Sequence, residues 1–275
     1  MSALEIVEAM NSEDKNVAET VKLALPEIAD AVNLIADRLF QGGRLIYVGA
    51  GTSGRLGVMD ASECPPTFGV SPELIQGLIA GGVSALTDEI EGAEDDSIAG
   101  ESVMKNTGVN RKDVVLGVSA SGTTPFVLAA MEYTKQQGSA RIGLACEMDS
   151  VLLKNVDVAI CVPVGPEILY GSTRLKAGTA QKMILNMLST AVMVKLGKVY
   201  KNHMVDLRVS NIKLERRAEV MVAELGEVSQ ETATKLLKET GNNVKTAIVM
   251  AKRKINILEA EKNLKAVDGI LSKII

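Results

Sequence analysis

Tryptophan is absent from this chain of 275 residues, and phenylalanine and tyrosine together bring aromatics to only 3%. A platform on which nucleobases stack is therefore not expected. Lysine and arginine number 30 against 34 acidic residues, a net charge of −4, so no broad basic surface for nucleic acid is expected either. One histidine and three cysteines (Cys64, Cys146 and Cys161) offer neither a disulfide framework nor metal-ligand spacing, and a reducing cytoplasm is the expected home. The first residues lack the basic and apolar regions of a signal peptide. No apolar run reaches the roughly 20 residues of a membrane helix. The most apolar helical stretch, near 183–196, is broken by Asn186, Ser189, Thr190 and Lys195. What is present in quantity is aliphatic: 47% of residues are hydrophobic, enough for a substantial core.

That apolar material is arranged in alternation. Residues 1–41 read as helices, with Val17, Val21, Leu25 and then Ile28, Val32, Ile35, Leu39 at helical spacing and Pro26 at the junction. Gly42-Gly43 ends the run, and Arg44–Val48 reads as a strand. Further strands are expected at Leu74–Ala80, Asp113–Val118, Arg141–Ala145 and Val156–Val162, with helical stretches over 84–106, Pro125–Gln137 and Ala180–Leu196 between and after them. Apolar strands alternating with helices predict an α/β fold, a parallel sheet covered on both faces. Ligands of such sheets bind beyond the carboxyl ends of the strands. Residues 42–214 are expected to form this domain, and 215–275, charged and amphipathic with breaks at Gly226 and Gly241, a small helical subdomain.

Two hydroxyl-rich loops follow strands. Gly49-Ala50-Gly51-Thr52-Ser53-Gly54 fits the dinucleotide string G-x-G-x-x-G. The acid that would hold a ribose at the end of the second strand is missing, since that strand runs into Gly81-Gly82. A P-loop fails too, because Arg55 stands where Lys-Ser/Thr is required. The second loop places Ser119, Ser121, Thr123 and Thr124 around Gly122 before a helix. Backbone N–H groups at helix starts attract anions, so the pair could hold a phosphorylated small molecule, although such residues also serve as ordinary turns and caps.

Carboxylates form two groups. Glu63 precedes Cys64-Pro65-Pro66, where a helix should not continue, so Glu63 is expected at a rigid bend. Glu89, Glu91, Glu94, Asp95 and Asp96 form the second group, and Glu91 and Glu94, three apart, would share a helix face. Two carboxyl groups with separated pKa values can divide base and acid duties in an elimination, or simply be solvated. His203 reads as a surface residue and Cys64 as a small buried hydrophobe. Arg174, Lys176 and Lys182 precede the last apolar helix, bringing a cation to a ligand or packing at a subunit contact.

The strings Gly49–Gly57, Ala61–Thr67, Leu78–Gly82, Glu91–Asp95, Gly171–Lys182, Asn186–Thr190 and Met204–Asp206 resemble the N-acetylmuramic acid 6-phosphate etherase family over nearly the whole chain. The resemblance implies a sugar isomerase (SIS) fold with a five-stranded parallel sheet, a cytoplasmic homodimer, a sugar-phosphate substrate and no cofactor. It implies lactyl ether cleavage by elimination and hydration, a carbon–oxygen lyase reaction. It assigns Glu63 as leaving-group acid and Glu94 as C2 base. Phosphate falls to Ser119, Ser121, Gly122, Thr123 and Thr124. Thr52 and Ser53 face the sugar, and Glu91 and Lys176 complete the binding set. The 215–275 helices resemble a ubiquitin-associated bundle in pattern. The chain departs from the family at Thr123, often Arg in relatives, over Cys146–Asp149, and at His203, often apolar. An aldose–ketose isomerase and a non-enzymatic sugar-phosphate sensor similar to the glucokinase regulatory protein are the competing expectations. The first lacks need of the Glu63-Cys64-Pro65-Pro66 element, and the second uses two such domains.

Overall fold

Strand residues 45–49 and 114–118 are buried at every position, as expected of a sheet covered on both sides. A computed structural model describes residues 1–207, 209 and 211–275. Helices α1 (Ala3–Leu23) and α2 (Leu25–Phe40) come first. Ser2 and Glu5 close a capping box on α1, and Pro26 lies in the first turn of α2, where its missing N–H costs nothing. Then follow β1 (Leu45–Gly49), α3 (Gly51–Phe68), β2 (Ile75–Ile79), α4 (Ser97–Thr107), β3 (Val114–Val118), α5 (Pro125–Gln136), β4 (Ala140–Ala145), α6 (Val151–Lys154), β5 (Val158–Cys161) and α7 (Lys176–Lys195). A two-residue pair, β6 (Val199–Tyr200) and β7 (His203–Met204), leads to α8 (Ile212–Gly226), α9 (Gln230–Glu239), α10 (Val244–Arg253) and α11 (Ile257–Ala266).

The five long strands form one parallel sheet in the order β2-β1-β3-β4-β5. Successive strands are added on one side of β1 and then on the other, so the boundary between β1 and β3 is a topological switch point. On one face Ile46, Val48 and Val115 pack with Met104, Phe126 and Val127. At the amino ends of β1 and β3, Asp113 (1% exposed) receives Arg44 through Nε and Nη2 at 3.2 and 2.6 Å and its backbone N–H at 2.9 Å. That hydrogen bond raises the Arg44 pKa above its ordinary value. The clamp locks the register at the end of the sheet away from the loops of interest.

The chain divides into two compact units, residues 1–62 with 72–190 and residues 63–71 with 191–275. The second has its own core, in which Met221, Val222, Leu237, Ile248 and Leu264 pack together. Asn211, Ser229, Asn243 and Asn256 each accept a backbone N–H at the starts of α8 to α11.

Three local expectations change. Helix α3 runs through Pro65 and Pro66 to Phe68, so Glu63 is helical and not at a bend. The prolines forgo donation to the Ala61 and Ser62 carbonyls, but their fixed φ is helical, and Gly69 N–H closes the last turn on Pro65 O at 2.9 Å. The span 84–106 is helical only from Ser97. Before that stand short 3-10 turns at Val83–Leu86 and Ala93–Asp95. Gly92, at φ +70°, interrupts the helix, and Glu91 and Glu94 therefore share no helical face. Helix α7 begins at Lys176, four residues before Ala180.

Candidate active site

The first loop is shaped by backbone contact. A Cβ on Gly49 would lie 2.7 Å from Gly54 N, and one on Gly54 would lie 2.7 Å from Gly49 O, so strand and helix meet too closely for side chains. Gly51 enters α3 at φ +50°. Thr52 is half-buried. Ser53, 9% exposed, is turned inward and donates its hydroxyl to Gln181 Oε1 at 2.9 Å, while the Gln181 Nε2 has no hydrogen-bond partner.

The second loop is a ring of hydroxyls. Ser119 Oγ lies 2.8 Å from Thr124 Oγ1 and 3.4 Å from Ser121 Oγ, and Thr123 Oγ1 donates to Ser121 Oγ at 2.9 Å. Gly122 N–H donates to Ser119 Oγ at 3.0 Å, and Thr123 N–H to Ser121 Oγ at 3.3 Å. Ser121 and Thr123 are exposed, and Ser119 is buried beneath them. The loop is held from below: Cys146 N–H donates to Ala120 O at 2.9 Å and Leu152 N–H to Gly122 O at 3.0 Å. Gly122 is at φ +64°, and a Cβ there would strike Ser150 Oγ at 2.3 Å.

A cavity of about 320 Å³ opens between the start of α3 and the segment after β2. Its lining includes Thr52, Arg55, Asp88, Glu89, Glu91 and Glu94. The structure thus brings together Thr52, Glu91 and Glu94 of the expected set. The hydroxyl loop is not part of that lining. Glu63 is exposed on α3 and belongs to the second unit. Lys176 is 4% exposed and spends its Nζ on Glu13 Oε2 at 2.6 Å. The Glu167 carboxylate accepts the Lys176 and Ala177 N–H groups at 3.0 Å each, capping α7.

Buried charge stands nearby. Asp60 accepts from Tyr47 Oη at 3.0 Å and Ser189 Oγ at 3.3 Å, with Lys182 Nζ 3.9 Å away. These bonds tie β1, α3 and α7 together. Sequence reasoning singled out neither Asp60 nor Gln181, and it treated Arg55 only as an obstacle to a P-loop. The adjacency of Lys182 and Asp60 is tertiary, and no local pattern signals it. Burial pushes the Cys146 thiol up to about 12 and that of Cys161 upward as well, so neither is an activated nucleophile. Cys64 is buried. His203 Nε2 is 3.6 Å from Glu224 Oε1. Among the described residues no cluster of His, Cys, Asp and Glu has the arrangement of a metal site, and no helix is long and apolar enough to cross a membrane.

Three family profiles match the chain. The "Glucokinase regulatory protein N-terminal SIS domain" covers residues 27–135, the "SIS domain" 94–191, and the "C-terminal lid domain of glucokinase regulatory protein" 201–240. An N-acetylmuramic acid 6-phosphate etherase of Clostridium acetobutylicum is 48% identical over 275 residues, 100% of this chain and 91% of the relative. One from Salmonella agona is 50% identical over 271 residues, 98% of this chain and 91% of the relative. Among solved structures, a phosphoheptose isomerase from Francisella tularensis aligns with a TM-score of 0.54 at 20% identity, covering 70% of this chain and 100% of that one, a likeness of fold.

Proposed function

The chain belongs to the N-acetylmuramic acid 6-phosphate etherase family, and from that premise we propose that it cleaves the lactyl ether of N-acetylmuramic acid 6-phosphate as a carbon–oxygen lyase. The observation that carries the reading is identity near one half, sustained across essentially the whole chain. The products are N-acetylglucosamine 6-phosphate and D-lactate.

The chemistry needs a base at C2 of the open-chain aldehyde and an acid at the ether oxygen on C3. Removal of the C2 proton sends its electron pair toward the carbonyl, and collapse of the enolate forms the C2–C3 double bond. The C3–O bond breaks in that collapse, and lactate leaves with a proton supplied to its oxygen. Water then adds at C3 and a proton returns to C2, so hydration restores what elimination removed. Glu94 is assigned the C2 proton. Its place in a cavity with Thr52 and Glu91 supports this, because a hydroxyl and a second carboxylate can hold sugar hydroxyls beside the base. Glu63 is assigned the leaving-group proton and then activation of water. The hydroxyls of Ser119, Ser121, Thr123 and Thr124, with the Gly122 backbone, are assigned the phosphate, and the ring they form before α5 supports this. Thr52, on the cavity wall, is assigned to the sugar, whereas the Ser53 hydroxyl, given to Gln181, and the Lys176 amine, paired with Glu13, are assigned to holding the glycine loop and the start of α7 rather than to the substrate. The working form is a cytoplasmic homodimer.

Lactate release measured with purified protein tests the reading. Turnover is expected without added nucleotide and in the presence of EDTA, since carboxyl groups supply acid and base. Ketose formation without lactate would replace this reading by an isomerase, and tight binding without turnover by a sensor. Glu94→Gln is expected to abolish exchange of the C2 proton with deuterium oxide, and Glu63→Gln to keep part of that exchange while lactate release fails. Unchanged turnover in both variants overturns the assignment.

A further inference from the structure

The acidic cavity has a guanidinium in its wall, and that guanidinium is turned to the backbone rather than to the carboxylates. Arg55 Nε donates to the carbonyls of Ala85 at 2.9 Å and Leu86 at 3.2 Å, and a terminal nitrogen donates to the carbonyl of Asp88 at 3.0 Å. Ala85 and Leu86 end the 3-10 turn Val83–Leu86, whose last carbonyls lack partners within the turn. The far end of the segment is fixed separately, where Asp96 Oδ1 accepts Ala99 N–H at 2.8 Å and caps α4. Between these anchors lie Glu91, Gly92 at φ +70° and Glu94.

We infer that Arg55 is a positioning residue: by bridging three carbonyls it holds the segment 85–94 against α3 and sets where the Glu94 carboxylate meets the substrate. The inference rests on the etherase reading for the role of Glu94. Its physical basis does not. Asp88, Glu89, Glu91 and Glu94 line one small cavity on an irregular segment with little ladder bonding of its own. Arg55 ties that segment to the helix that carries Thr52 with a fixed fork of donors. A lysine restores the charge but cannot span the same carbonyls from a single nitrogen.

The test uses the full chain with Arg55→Met and Arg55→Lys, and two readouts. Arg55→Met is expected to lower kcat for lactate release on the order of 100-fold with KM within about threefold, the signature of a misplaced reacting group. Deuterium uptake by backbone amides of 83–94 is expected to rise while that of 114–118 stays unchanged. Arg55→Lys is expected to recover only part of both. Wild-type kcat in Arg55→Met, or a rise confined to KM, overturns the inference, as does unchanged uptake over 83–94 in either variant. If Arg55→Met does not fold, Arg55→Lys decides by the same two measurements. Wild-type protein that releases no lactate overturns the etherase reading instead, and the amide exchange of the variants then decides whether Arg55 holds the segment.

Discussion

Single atoms decide how the two loops keep their shape. Gly122 combines a left-handed φ with a neighbour, Ser150 Oγ, in the place a Cβ would take. Gly122→Ala is therefore expected to strain the hydroxyl ring, raising KM for the phosphorylated substrate more than it lowers kcat, a split that steady-state kinetics measures. Gln181 is a different case. Its buried amide receives the Ser53 hydroxyl and leaves Nε2 without a partner. A buried orphan donor is costly, and the same polar pair fixes the rotamer of a residue in the glycine loop. The Cys146 thiol gives a pH prediction. Its folded pKa is raised by burial to about 12 from 9.0, so below 9.0 both states hold the proton and the stability is fully present. As pH rises from 9.0 toward about 12 the unfolded chain releases that proton first, and the fold loses stability. Urea midpoints of the wild type are expected to fall across that window more steeply than those of Cys146→Ala.

Between elements, the Arg44–Asp113 clamp ties the entries of β1 and β3 together. Removing Arg44 leaves the buried Asp113 carboxylate short of its strongest partners, although Asn110 still donates to it. Arg44→Met is expected to cost about 3 kcal/mol, measured by urea denaturation at neutral pH. Most elements were legible from pattern. The strand at 45–49 is an apolar run between Gly43-Arg44 and the glycine loop, and β3 is an apolar run between Asp113 and Ser119. Gly226 and Gly241 mark breaks between the last helices as expected, but only Gly241, at φ +59°, supplies a left-handed turn; after α8 that turn falls to Glu227 at φ +55°, and Gly226 is helical with a Cβ excluded by Ala251 Cβ at 2.6 Å. The proline pair misled because it removes only two ladder bonds, those to the Ala61 and Ser62 carbonyls, while the fixed φ of proline is itself helical and lets α3 run on to Phe68. The span 84–106 misled because Gly92 and the Asp96 cap outweigh a weak apolar period. In the candidate site, the residue types of both loops were visible as strings. The partners of Ser53, Lys176 and Arg55 were not, since Gln181, Glu13 and the Ala85–Asp88 carbonyls are distant along the chain or have no side-chain signature.

For the molecule as a whole, protection against solvent is unevenly distributed. The strands β1 and β3 are buried at every residue, whereas α1 buries only Val17 and Val21 and exposes Leu4 and Val7. Amide exchange followed by mass spectrometry is expected to be slowest over 45–49 and 114–118 and fast over 3–12, and equal rates in these segments would contradict that ordering. The contact between Gly49 and Gly54 reaches beyond this one protein. It accounts for two glycines of a string used to find nucleotide binders, and it does so through nothing more than a helix pressed onto a strand. Scanning genomes with that string alone therefore collects chains by how tightly a crossover is built, and proteins that never meet a nucleotide will be filed among those that do.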